Sequence, residues 1–138
     1  MKKLLVLASL AFMACEKDDN TSTQPGYYGK WYILQTVNKQ YTIENGDTAY
    51  TRYDITDHSG SDYIDFQTNS GSALLFMNNV SDSMSYESVT HSYFKLDSTL
   101  CEINYLTDST FGFNTLSFDP NVIPDRIQVT QNFFILHK

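Results

Sequence analysis

The sequence predicts an all-β chain, a single antiparallel up-and-down β-barrel of about eight strands. Three observations predict it. Aromatic residues make up 14% of the chain and charged residues only 18%, and neither alanine nor leucine recurs at helical spacing, a balance that favours strands. Stretches with period-two alternation recur along the chain, Asp62 to Gln67 being the clearest. Turn signals separate these stretches at intervals of ~8 to 12 residues, the spacing of a barrel or sandwich and not of a parallel sheet. A chain of 138 residues fits one domain that can bury a single core.

The N-terminus reads as an address. Lys2 and Lys3 precede an apolar run from Leu4 to Ala14 that stops at Cys15, too short for the ~20 residues that cross a bilayer and ordered like a secretory targeting segment. Phe12-Met13-Ala14-Cys15 resembles a bacterial lipobox, with Phe12 where leucine is usual. The resemblance implies that residues 1–14 are a lipoprotein signal peptide and that Cys15 carries the lipid. Residues 15–26, from Cys15 through the polar Glu16 to Gly26, read as a flexible tether that cannot pack a core. The barrel domain is then 27–138. Lys17-Asp18-Asp19 resembles the surface-export signal of lipoproteins in the Bacteroidota, which implies an outer-membrane lipoprotein displayed at the cell surface; without export the domain would hang from the periplasmic face.

The formal net charge of −7 becomes −9 once Lys2 and Lys3 leave with the signal peptide. Such an acidic domain excludes a nucleic-acid partner, which calls for clustered Lys and Arg. With Cys15 lipidated, Cys101 is the only thiol left and no intramolecular disulfide can form. The core must hold by packing alone.

The first strand is expected from Tyr27 to Val37, with Trp31, Ile33 and Gln35 on one face and Tyr32 and Leu34 on the other. Turn signals follow at Asn38-Lys39-Gln40 and at Glu44-Asn45-Gly46-Asp47, around the short segment Tyr41-Thr42-Ile43. A second strand is expected over Thr48 to Ile55, with Tyr50 and Arg52 on one side and Ala49, Thr51 and Tyr53 on the other. Asp62 to Gln67 points Ile64 and Phe66 inward and its two acids outward. Thr68-Asn69-Ser70-Gly71 turns into a return strand from Ala73 to Met77. Further strands are expected over Ser83 to Val89, Ser92 to Leu96, Leu100 to Leu106, Thr110 to Phe118 and Arg126 to Leu136, with a long loop from Pro120 to Pro124. The last strand becomes continuously apolar at Phe133-Phe134-Ile135-Leu136, which suits one that pairs with the first and closes the barrel.

Gly29-Lys30-Trp31-Tyr32 resembles the opening motif of lipocalin-like proteins, in which an indole plugs the narrow end of the barrel. Tyr63-Ile64-Asp65-Phe66-Gln67-Thr68-Asn69 and Ile103-Asn104-Tyr105-Leu106-Thr107-Asp108-Ser109-Thr110-Phe111 resemble two hairpins of the lipocalin-like lipoproteins of the Bacteroidota. Together these pieces cover the chain from Gly29 to its end. The resemblance implies a fold and an envelope address, and names no ligand.

Eight aromatic residues are candidates for lining a cavity: Trp31, Phe66, Phe76, Tyr86, Phe94, Tyr105, Phe113 and Phe133. The bland alternative is that they fill the barrel, and a largely filled or narrow interior is expected for so short a domain. Asp54, Asp57, Asp62 and Asp65 cluster in sequence but match no calcium loop, and His58, His91 and His137 have no zinc-site spacing. Cys101 reads as a small buried hydrophobe. No catalytic motif or phosphate-binding loop is present, so neither an enzyme, a metal nor a cofactor is expected. Two functions fit this pattern. One is a lipid-anchored module that binds a small apolar or amphipathic ligand. The other is a surface protein with a filled barrel that contacts an envelope protein or a glycan through Tyr27, Tyr28, Tyr41, Tyr50 and Tyr53.

Overall fold

The structure, a computed structural model, describes residues 26–68, 70–123 and 126–138. The targeting segment and all of the tether except Gly26 lie outside them. The described residues form nine strands: β1 Gly29–Glu44, β2 Asp47–Asp57, β3 Tyr63–Gln67, β4 Ser72–Met77, β5 Val80–Ser88, β6 Tyr93–Leu96, β7 Thr99–Leu106, β8 Thr110–Ile123 and β9 Arg126–His137. All are antiparallel to their neighbours. Strands β1 and β3 to β9 follow one another in order and close through β1–β9, an eight-stranded up-and-down barrel. Closure removes the two edges that an open sheet would expose.

Strand β1 is shared between two structures. One edge pairs with β9 from Tyr32 to Glu44. The other pairs with β3 from Gly29 to Tyr32 and then, from Gln35 onward, with β2. The ninth strand therefore lies outside the closed ring. Beyond Thr115, β8 also loses its β7 neighbour, so β2, β1, β9 and β8 continue past the barrel as a four-stranded sheet.

The expected turn at Asn38-Lys39-Gln40 is instead strand, because these residues are paired on both sides, by Asp54, Tyr53 and Arg52 of β2 and by Asn132, Gln131 and Thr130 of β9. Pairing on two edges overrides weak local turn preference. The turn falls at Asn45-Gly46, whose φ angles of 52° and 85° suit a two-residue hairpin joining Glu44 to Asp47. Asn78-Asn79 repeats the device between Met77 and Val80. The expected Pro120 to Pro124 loop is shorter, since β8 runs through Pro120 to Ile123 with a shift in register after Asp119.

Bulges reset the alternation at three places. Leu34 is unpaired between Ile33↔Leu136 and Gln35↔Ile135, so Gln35 turns outward instead of following Trp31 and Ile33. Thr51 is skipped between Gln40↔Arg52 and Tyr41↔Tyr50, which puts Tyr50 on the outer face with Tyr53. Asn104 is skipped between Ile103↔Phe113 and Tyr105↔Gly112. An extra residue flips every side chain beyond it to the other face.

Inside the ring the wall is apolar. In the extension the polarity reverses. Its inner face carries Asn38, Gln40, Asn132, Thr130, Thr115 and Ser117, whereas its outer face carries Tyr41, Tyr53, Ile55, Val129 and Phe118.

Candidate binding cavity

One end of the barrel is solid. Trp31, Tyr27, Phe66, Phe94 and Phe111 are fully buried there. Trp31 Nε1 donates to the Tyr27 carbonyl at 2.7 Å, and the Tyr86 hydroxyl donates to that of Tyr27 at 2.5 Å. The Tyr27 and Phe111 rings stack with centroids 5.4 Å apart. Every polar tip in this plug finds a partner, which is what makes tyrosine and tryptophan acceptable in a core. Burial, followed by the hydrogen bond with Tyr27, pushes the Tyr86 phenol well above its ordinary range.

The other end holds an open cavity of about 380 Å3. Its base is the stacked pair Phe113 and Phe134, with centroids 4.8 Å apart, on neighbouring residues of β8 and β9. Ile33, Ile64, Leu75, Met84 and Leu96 complete an apolar wall, and Asp97, Ser98, Thr99, Thr115 and Asn132 make a polar mouth. Asp97 turns β6 into β7 with a φ of 52°, and its carboxylate accepts from the Ser85 amide at 2.8 Å and hydroxyl at 3.0 Å, which anchors this part of the rim.

A line of amides crosses the sheet above Phe134. Asn38 Nδ2 donates to Asn132 Oδ1 at 2.5 Å, and Asn132 Nδ2 donates to Thr115 Oγ1 at 3.4 Å. Asn38 Oδ1 is buried with no partner among the described residues. A buried acceptor without a donor is costly.

Of the eight aromatic candidates, Phe113 lines the cavity. Trp31, Phe66, Tyr86 and Phe94 lie in the plug, Trp31 at the closed end as its motif implied. Phe76, Tyr105 and Phe133 stand on the outer wall: Phe76 stacks on Tyr63 at 5.3 Å, and Tyr105 meets Phe133 at 6.3 Å. Their faces follow from register, since Leu75 and Phe134 take the inward positions of their pairs and the bulge at Asn104 turns Tyr105 out. Leu75, Met84 and Phe134 escaped the sequence reading, which weighed aromatics in alternating stretches, whereas Ile33 was placed on the face of Trp31. Leu74 to Met77 and Phe133 to Leu136 are apolar throughout, so their periodicity marks no face.

Among the tyrosines read as surface contacts, Tyr27 is fully buried, Tyr28 and Tyr41 are half-buried, and Tyr50 and Tyr53 are exposed. Tyr27 sits inside because its carbonyl and hydroxyl both bond within the plug.

Cys101 is fully buried on β7, and burial pushes its thiol up to about 12. Its thiol faces the Thr99 carbonyl at 3.7 Å. That is the environment of an inert cysteine. The four acids separate: Asp54 meets Arg52, Asp57 accepts from Gln35 Nε2 at 2.8 Å, and Asp65 lies opposite Lys30. Asp62, expected outward, is buried because His58 Nδ1 lies 2.7 Å from its carboxylate. His58 Nε2 in turn lies 3.0 Å from Thr36 Oγ1, and Asp62 Oδ1 accepts from the Asn78 amide at 3.1 Å. This chain fastens the β2–β3 connection to β1 where β1 changes partners. Among the described residues no group of three or more His, Cys, Asp or Glu is placed to hold a metal ion.

Comparison with protein-family models, with curated proteins and with solved structures finds no match.

Proposed function

We propose that this chain is a lipid-anchored module of the cell envelope whose barrel holds a small apolar or amphipathic ligand. The single observation that carries the ligand is the open cavity of about 380 Å3 with an apolar base and a polar mouth. This volume is within the range of small-molecule pockets, roughly 300 to 1,000 Å3. A compact apolar group would rest on Phe113 and Phe134, and a polar head would meet Asn132 and Thr115. The anchor is supported by the likeness of Phe12-Met13-Ala14-Cys15 to a lipobox, and surface display by Lys17-Asp18-Asp19.

The test is a titration with N-phenyl-1-naphthylamine, an apolar probe that brightens when it leaves water. The native protein is expected to bind it saturably and to release it to a medium-chain fatty acid. Leu75→Trp, which fills the cavity, is expected to abolish binding while the denaturation midpoint stays near that of the native protein. Absence of saturable binding, or binding equal in the filled variant, would remove the carrier reading. Labelling cells with a tagged fatty acid, with Cys15→Ser as control, tests the anchor separately.

One observation favours a second reading. Tyr50 and Tyr53 are 65% and 57% exposed on a strand outside the ring, as tyrosines that contact an envelope protein or a glycan would be. Loss of a pull-down partner on Tyr50→Ala with Tyr53→Ala is the expected outcome; unchanged partners would discard it.

A further inference from the structure

Strand β2 is held to the molecule by one edge. It pairs with β1 from Asp47 to Asp57, all eleven of its residues are exposed, and it ends the strand order of the sheet with no described strand beyond it. An edge of this length offers a row of backbone donors and acceptors to another strand, and proteins commonly guard such edges with charge. Here the guards are Arg52 and Asp54. They lie two residues apart on the same face and form an ion pair with each other.

We infer that β2 is the edge through which two copies of this chain pair, antiparallel about a twofold axis at Tyr53. In that register Arg52 of each copy stands opposite Asp54 of the other, so two cross-strand ion pairs form by symmetry. Directly opposed side chains must share a face, so a slip by one residue sets the polar face of one strand against the apolar face of the other. A slip by two sets Arg52 against Arg52, or Asp54 against Asp54. Like charges directly opposite are destabilising and opposite charges stabilising. The charges that repel neighbouring registers thus select one.

The outer face adds apolar contact. Tyr53 of each copy meets its counterpart at the axis, with Ile55, 53% exposed, close by. The overlap centres on Arg52 to Asp54 and ends at the Thr51 bulge of each copy, beyond which opposed side chains no longer share a face. It joins two four-stranded extensions into one eight-stranded sheet. The contact is isologous, the commonest way two identical chains associate. Its small area makes it a reversible dimer rather than an obligate one, and its ion pairs, lying near solvent, make it weaken with salt.

The test is the solution mass of the purified protein by sedimentation equilibrium. A mass approaching that of a dimer is expected by ~100 µM in low salt, since small interfaces dissociate at micromolar concentrations or above. Arg52→Asp alone and Asp54→Arg alone are each expected to shift the midpoint of association at least tenfold upward. Exchanging both, Arg52→Asp with Asp54→Arg, is expected to restore it, because the exchange preserves the opposed pairs. Tyr53→Cys, in a Cys15→Ser background, is expected to give a covalent dimer on mild oxidation, since a residue on the axis meets itself at a distance a disulfide can span. Val80→Cys, exposed on the β4–β5 hairpin outside the proposed overlap, is expected to stay monomeric under the same conditions. Circular dichroism of each variant checks that the barrel has folded. A native mass that stays monomeric to 500 µM overturns the inference, as does a dimer indifferent to both charge reversals or unrestored by their exchange. A monomer that instead accepts a strand from a different protein also overturns it, since the occupant is then not a second copy.

Discussion

The ring of Tyr105 lies across Gly112, its directly opposed partner on β8: a Cβ added to the glycine would sit 2.3 Å from Tyr105 Cε1. A glycine weakens a strand by leaving its surface bare, and a facing aromatic ring repairs that loss by covering it. Gly112→Ala is expected to displace the ring and cost about 1 kcal/mol in urea unfolding, at the low end for overpacking because Tyr105 can swing towards solvent. In a Tyr105→Ala background the same change is expected to cost nothing or to stabilise. Equal effects in the two backgrounds would show that the ring does not protect the glycine.

Trp31 is the only tryptophan and is fully buried against the Tyr27 carbonyl. Its emission is therefore expected to be blue-shifted, protected from acrylamide, and to move to longer wavelength only as the barrel unfolds. Trp31→Ala is expected to cost about 3 to 5 kcal/mol, the range for truncating large buried aromatics, measured by circular dichroism because the fluorophore is then gone.

The raised Cys101 and Tyr86 groups predict alkaline weakening. The neutral thiol is the form favoured by the fold, so its folded pKa of about 12 exceeds the unfolded 9.0. Its stabilising contribution is complete below about pH 9 and is lost as pH rises towards 12. Tyr86 acts in the same direction from its unfolded value of 10.0 upward. The midpoint of urea unfolding is expected to fall above pH 9, and less steeply in Cys101→Ala. At pH 8 the Cys101 thiol is expected to react with Ellman's reagent only when denaturant is present.

In the chain from Thr36 through His58 to Asp62, the His58 and Asp62 side chains are only 7% and 10% exposed. His58→Ala leaves one Asp62 oxygen without its partner, and is expected to cost about 1 to 3 kcal/mol. Cavity-probe affinity is expected to change little, because the residues of this chain do not line the cavity. A loss of affinity without loss of stability would tie the chain to the ligand instead.

Much of the sheet was legible. Period-two alternation at Ile64 and Phe66 identifies a wall strand, Asn45-Gly46 identifies a hairpin, and the apolar end of β9 identifies the closing strand. These signals are local, or depend only on which faces are buried. The cavity was less so. Phe113 is visible as an inward aromatic, but Leu75 and Phe134 share runs in which every residue is apolar, and a run without period does not state which side is inside. The bulges at Leu34, Thr51 and Asn104 have no marker in the residues themselves, and each inverts what alternation predicts beyond it.

The sequence by itself therefore determined an all-β chain, the order of its strands, and an interior rich in aromatic side chains, because alternation and turn chemistry act between near neighbours. Only the tertiary structure decided that β2 stands outside the ring, that Trp31 and Tyr27 seal one end while the other stays open, and that the extension is polar within and apolar without. Those outcomes depend on which edge of β1 each partner takes and on single-residue shifts of register. They are fixed by pairings between residues as much as 105 positions apart, Tyr32 with His137, where no local pattern reaches.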